Sequence, residues 1–256
     1  MQTLSLNSFG DFPALVSVPH AGLARDFDSM RLADVRRTQR TICNLADSYA
    51  DVVGETIAQR AMGQLLGTDV SRVYCDVERY PDEREEMNAV GMGVVYTRDE
   101  NGDPIYRPGQ EPDDLEVRDR MAEVYWPYHA MLTHVAQRMI AQFGQCVLLD
   151  VHTYSDEPWP YELHADDGRP QVCLGHNGDA RGMELASMLG EQLEFLGLGV
   201  GLNEVFKGSI VPNNLDDPKH GLASVMIEMR KSAARDEGGA HRADGCESSP
   251  RLRLLG

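Results

Sequence analysis

The sequence has no CxxC pair, no run of about 18 apolar residues and no GxSxG turn, and each absence removes a class of protein. The five cysteines, Cys43, Cys75, Cys146, Cys173 and Cys246, are odd in number and widely spaced. That leaves neither a disulfide framework nor a cysteine zinc site, and they read as reduced thiols used in packing. Without a nucleophile turn, a serine or cysteine amidase is disfavoured. Positive charge is also scarce: 24 Lys and Arg stand against 41 Asp and Glu, for a formal net charge of −17. Phosphates would be repelled over most of such a surface, so neither nucleic acid nor an anionic membrane is an expected partner. An anionic small ligand would need a local basic pocket. The opening MQTLSLNSFGDFPALVSVPH has no basic start followed by a long apolar stretch, and the expected location is the cytoplasm. The acidic surface suits a monomer or a homo-oligomer equally.

What is present is enough for a full core. A chain of 256 residues with 42% hydrophobic residues favours one large domain. Residues 14 to 18 (ALVSV), 146 to 151 (CVLLDV), 171 to 174 (QVCL) and 223 to 229 (ASVMIEM) predict short strands, mostly continuous in apolar character, as strands buried on both faces are. Helical spacing of apolar residues covers about 31 to 62, 113 to 143 and 179 to 195. Alternating strands and helices predict a three-layer α/β/α fold around a mostly parallel or mixed sheet. Residues 79 to 112 are rich in charge, Gly and Pro, with NGDPIY as a hairpin turn, and predict an excursion over the active face rather than core. The expected organisation is a single catalytic domain over 1–235 and a polar, irregular tail over 236–256.

Chemistry concentrates at two strand ends. LLDVHTYS, residues 148 to 155, runs an apolar strand into His152, and ALVSVPHAG, residues 14 to 22, does the same for His20. Carboxyl ends of buried strands are where open α/β sheets bind ligands, so the two imidazoles predict one shared site. Any single strand-end histidine is more often structural than a ligand; the pair is the signal. Asp150 shares a strand face with His152 by the period of two and is placed to hold the imidazole. Asp47 is expected on the helix after the His20 loop, and Asp76 and Glu78 at the end of another strand. Glu228 lies within SVMIEMR, where a lone acid is costly unless paired, bound or functional. Desolvation would raise its pKa and suit it to act as a base, the competing role being an ion pair with Arg79 or Arg230. Lys207, followed by Gly208, and the two arginines are candidates for carboxylate recognition.

VSVPHAG (16 to 22), ADSYADVV (46 to 53), SRVYCDVER (71 to 79), LLDVHTYS (148 to 155), NEVFKGS (203 to 209) and MIEMRKS (226 to 232) resemble segments of the N-formylglutamate amidohydrolases, relatives of the zinc carboxypeptidases and aspartoacylases. The resemblance runs from the first strand to about residue 232. It implies a phosphorylase/hydrolase-like, zinc carboxypeptidase-like fold, and zinc-dependent hydrolysis of a small anionic N-acyl amino acid, N-formyl-L-glutamate foremost, to formate and glutamate. It further implies His20 and His152 as zinc ligands, Glu228 as the catalytic base, and Arg79, Lys207 and Arg230 as substrate-binding residues. The His-x-x-Glu of carboxypeptidases is absent, since Ala21, Gly22 and Leu23 follow His20. Asp47 is therefore preferred as the acidic metal ligand, with Asp76 and Glu78 open; the segment containing Glu78 usually carries Asn at that position in the family. A deacylase or carboxypeptidase-like hydrolase acting on another N-acyl amino acid, and a non-catalytic ligand-binding protein of the same fold, stand as alternatives. The unusual Glu157, Trp159 and Tyr161 beside His152 bear on the choice of acyl group.

Overall fold

The computed structural model describes residues 3–24, 27–162, 168–212, 215 and 218–238. Seven strands form one mixed sheet: β1 (Leu4–Ser8), β2 (Ala14–Val18), β3 (Gln64–Thr68), β4 (Cys146–Tyr154), β5 (Val172–Gly175), β6 (Val200–Leu202) and β7 (Leu222–Arg230), in the order β1-β3-β2-β4-β7-β5-β6. β3, β2, β4 and β7 are mutually parallel. β1 runs antiparallel to β3, and β5 antiparallel to β7, with β6 parallel to β5. The helices are α1 (Val35–Leu45), α2 (Ala50–Arg60), α3 (Asp114–Arg120), α4 (Trp126–Phe143), α5 (Ala180–Phe195) and α6 (Lys231–Gly238). One π-helical turn, Met121–Tyr125, joins α3 to α4.

Strand alternation explains the layers. Leu15, Leu66 and Leu148 pack with Tyr128, Leu132, Val135 and Met139 of α4 on one side of the sheet. Their neighbours Val16, Leu65 and Val151 turn to the other side, with Val225 and Ile227, against α2 and α5. The expected three-layer α/β/α arrangement is thus what forms. α2 comes close because Gly54 faces β2: a Cβ there would lie 2.4 Å from Val18 Cγ2. Cys75, Cys146 and Cys173 are free and buried, as packing thiols should be.

Two sequence expectations need correction. The single helix over 31 to 62 is two helices, because Ala46 turns to an extended backbone (φ −70°, ψ 143°) and Tyr49 is left-handed at φ 73°. Asp47 therefore sits in a break between helices rather than on one. Residues 79 to 112 do reach the site, with Arg79, Glu86 and Met87 on its cavity, but they also carry core: Met87, Met92, Tyr96, Ile105 and Tyr106 bury against Phe27, Leu32, Ile42, Leu45 and Val73 in a third cluster. Their irregular spacing amid charges hides the core from a periodicity reading. The expected turn does form within it, with Asp99 N donating to Asp103 O at 2.9 Å and Ile105 N to Thr97 O at 2.9 Å. α6 runs over Lys231–Gly238, and residues 239–256 of the expected tail lie outside the described residues. Among the described residues, no helix is long and apolar enough to cross a membrane.

Candidate metal centre

The site lies where β2, β4 and β7 end. β4 and β7 pair in parallel over nine positions, with His152 opposite Glu228. Period-two alternation then puts Asp150 and His152 on one side of the sheet. β2 ends at Val18, and Pro19 leads directly to His20. The two rings come together at 5.1 Å between centroids. The helix break supplies Asp47, whose backbone N–H donates to His20 O at 3.0 Å and whose Oδ2 lies 3.4 Å from Thr153 N. Asp76 and Glu78 arrive not on a strand end, as expected, but on the turn-rich segment after β3.

Each histidine has an inner and an outer nitrogen. His152 Nδ1 is 2.9 Å from Asp47 Oδ2, and His20 Nδ1 is 3.8 Å from the same oxygen. On the outer side, His20 Nε2 is 2.8 Å from Asp76 Oδ1. His152 Nε2 lies 3.2 Å from both Asp150 Oδ2 and Glu78 Oε2. Glu78 Oε2 also approaches His20 Nδ1, at 3.6 Å. Asp76 is anchored in turn by Arg72, at 2.9 Å from Nη2, and by the hydroxyl of Tyr96, at 2.8 Å. Carboxylates that fix an imidazole's outer nitrogen set the tautomer and orientation that metal ligation requires.

His20 Nδ1 and His152 Nε2 are buried without a hydrogen-bond partner among the described residues. Two clusters have the spacing to hold a metal ion: His20, Asp47 and His152, and Glu78, Asp150 and His152. Two imidazoles with carboxylates are a donor set that zinc accepts. The electrostatics agree. Burial pushes the Asp47 carboxyl up, but the hydrogen bond and charge of His152, with His20 and Arg72, more than offset it and hold it below its usual range. Glu78 is likewise raised by burial and then driven well down by both histidines. Burial disfavours a charged His152, yet Glu78 and Asp150 hold its pKa well above the ordinary value. A pocket that concentrates anionic oxygen around two imidazoles holds a cation, whether protons or a metal.

Glu228 is of a different kind. Burial raises its pKa to about 8, against a smaller opposing effect of His152, and its Oε2 has no hydrogen-bond partner among the described residues. No ion pair to Arg79 or Arg230 forms among the described residues, which removes the competing role. Asp150 is pushed up to about 7, first by burial and then by the charge of Glu78.

The donors open into a cavity of about 360 Å³ whose lining includes Arg72, Arg79, Lys207 and Lys231 with Met87, Trp159, Tyr161 and Phe206. Cations thus do line the cavity of an acidic protein, beside the carboxylates of Asp47, Glu78, Glu86, Glu162 and Glu228. Lys207 is carried on a clamped loop: Asn203 Oδ1 accepts from His176 N at 3.0 Å and Gly208 N at 3.2 Å, and Asn177 Oδ1 accepts from Ser209 N at 3.0 Å. Arg79 reaches Asp76 Oδ2 at 3.6 Å. Arg230, expected here as a substrate contact, is not brought to the cavity lining; its Nη1 donates to Arg169 O at 3.3 Å and its Nε lies 3.4 Å from Asp156. Sequence reading missed Arg72 and Lys231 altogether. Arg72 lies in the same SRVYCDVER segment as Asp76, four residues apart, and that spacing was the available signal.

Two curated relatives cover nearly the whole chain. The N-formylglutamate deformylase of Pseudomonas aeruginosa is 27% identical over 250 residues, which is 94% of this chain and 89% of that protein. The enzyme of the same name from Pseudomonas putida is 27% identical over 234 residues, 89% and 84% of the two chains. Among solved structures, the N-formylglutamate amidohydrolase of Ralstonia eutropha JMP134 superposes with a TM-score of 0.78 at 22% identity, covering 96% of this chain and 92% of that one. A gene product of Agrobacterium tumefaciens gives 0.66 at 18% identity, covering 93% and 89%. These likenesses establish a shared fold. The model of one family, N-formylglutamate amidohydrolase, matches residues 12–234 without interruption from β2 to α6, and the chain belongs to that family.

Proposed function

We propose that this protein is a zinc-dependent amidohydrolase that cleaves the formyl amide of N-formyl-L-glutamate, giving formate and L-glutamate. The observation that carries it is the pair of buried imidazoles 5.1 Å apart among carboxylates: Asp76 holds His20 Nε2 and Asp47 holds His152 Nδ1, leaving His20 Nδ1 and His152 Nε2 without a hydrogen-bond partner among the described residues. His20, His152 and Asp47 would hold the zinc, with Asp76 and Asp150 orienting the imidazoles. Asp76 is a poor ligand because its oxygens are taken by His20, Arg72 and Tyr96. Zinc in that place supplies a Lewis acid that polarises the formyl carbonyl and acidifies water.

The chain's own residues do the rest. Glu228 takes a proton from the water attacking the formyl carbon and returns it to the amine nitrogen as the C–N bond breaks. Its raised pKa suits both halves of that exchange. Arg72, at the edge of the donor cluster, faces the negative charge that develops on the carbonyl oxygen. Arg79 and Lys207 bind the carboxylates of the substrate. Formate release from N-formyl-L-glutamate, lost with a chelator and restored by zinc, tests the proposal; protein that takes up zinc and releases no formate would sink it.

A second reading is hydrolysis of a larger N-acyl group, favoured by one observation: Met87, Trp159, Tyr161 and Phe206 give the cavity an apolar wall that a formyl group alone does not require. A panel of N-formyl, N-acetyl and N-butyryl glutamates separates the two by kcat/KM.

A further inference from the structure

Asp47 reaches the histidines only because the chain breaks between α1 and α2, and a break in backbone hydrogen bonding must be held open by something. α1 has no basic residue in its last turn, and its terminal carbonyls need donors. Ser48 N donates locally to Ala46 O at 3.0 Å, and the remaining donor comes from the other end of the sequence. Lys231, the first residue of α6, donates from Nζ to Ala46 O at 2.8 Å and to Asn44 O at 3.2 Å. Asn44 is itself tethered on its other side, its Nδ2 donating to Glu100 Oε1 at 2.6 Å. An ammonium at a helix C-terminus also meets the negative end of the helix dipole. Lys231 follows Glu228 by three residues and, like Asp47 and Glu228, lines the cavity.

We infer that Lys231 is a positioning residue: by pinning the carbonyls of Asn44 and Ala46 it fixes the Asp47 carboxylate against His20 and His152, and it ties that carboxylate's segment to the strand bearing Glu228. The inference deepens the proposed function and rests on Asp47 being a zinc ligand. Lys231 acts through Asp47, so its loss weakens the metal's hold before it weakens the substrate's.

The test is zinc affinity, measured by competition with a chromogenic chelator, on chelator-stripped wild type, K231M, D47N and the double variant, with KM recorded on the zinc-loaded proteins. K231M is expected to bind zinc about 10- to 100-fold more weakly, as losses of orienting contacts do, with KM within about twofold of wild type. In the D47N background, K231M should add little further loss, because two residues acting through one contact are not additive. If K231M does not fold, K231Q, which keeps one donor for the carbonyls, carries the same expectation with a smaller loss. A folded Lys231 variant with wild-type zinc affinity overturns the inference and leaves the metal assignment standing. So does a rise in KM alone, which would make the ammonium a substrate contact. Wild-type protein that binds no zinc overturns the metal assignment and the inference together.

Discussion

Glu228 faces His152 across the parallel β4–β7 ladder, and one of its carboxylate oxygens is buried without a hydrogen-bond partner among the described residues. A carboxylate kept unpaired beside an imidazole pays a desolvation cost that only a function offsets. Replacing it by the isosteric glutamine should lower kcat for N-formyl-L-glutamate by roughly 10²- to 10⁴-fold, with zinc content and KM nearly unchanged. Steady-state kinetics beside metal analysis reads both; E228Q protein retaining more than about a tenth of wild-type kcat removes Glu228 as the base.

The metal-free protein should lose stability as pH rises through the neutral range. Folding raises Glu228 from 4.5 to about 8 and Asp150 from 3.8 to about 7, so between those values the native state binds more protons than the unfolded chain. Unfolding free energy therefore falls with rising pH across that window. His152, held well above 6.5, adds in the same direction; its contribution is complete below 6.5 and lost as pH climbs through the raised value. Asp47 and Asp76, held low, act oppositely, but only below about pH 4. Thermal midpoints of chelator-treated protein at pH 5, 6.5 and 8 should descend, and saturating zinc should flatten the trend. A midpoint that climbs with pH would contradict the balance of charges described for the site.

Asp76 makes no contact with the inner nitrogens yet should control metal affinity. It holds His20 Nε2 and is itself held by Arg72 and Tyr96. Asp76→Asn keeps the shape and removes the charge; zinc binding should weaken about 10- to 100-fold while the fold persists. Unchanged affinity in the folded variant would reassign Asp76 to a purely structural role.

Lys207 is exposed at the cavity and makes no ion pair among the described residues. Lys207→Ala should raise KM for N-formyl-L-glutamate about tenfold, or ~1.4 kcal/mol, and leave kcat within about twofold. The penalty should shrink at high ionic strength, as screened surface charges do. Equal KM values for variant and wild type at low salt would take Lys207 out of substrate recognition.

Much of this site is legible in the sequence because strands announce themselves. The runs ending in His20 and His152, and the acid inside SVMIEMR, stand out as polar groups where apolar strands terminate or persist, and the structure gathers all three. Loops announce less. Asp47 could be named but not located, since nothing in ICNLADSYADVV signals the break at Ala46, whose carbonyl accepts from Lys231, 185 residues away. Arg72 and Lys231 escaped for a related reason: beyond the Arg72–Asp76 pair, four residues apart, their importance lies in contacts with residues that no local pattern brings near. β1, β3 and β6 were missed because runs of five or three residues are too short to carry a periodicity that distinguishes a strand. Arg230, two residues from Glu228, was placed by its proximity in sequence, and its guanidinium is spent on Arg169 and Asp156 instead.

The sheet's strand order has one more consequence. β7 is the last strand among the described residues but sits between β4 and β5, near the middle of the sheet. Until residues 222–230 insert, β4 keeps an open edge of unpaired amides and carbonyls, and the β5–β6 pair has no sheet to join. Chain closure and completion of the catalytic pocket are thus one event: a nascent polypeptide that stops short of β7 is not a slow enzyme but two unjoined half-sheets, with an edge free to recruit the wrong strand.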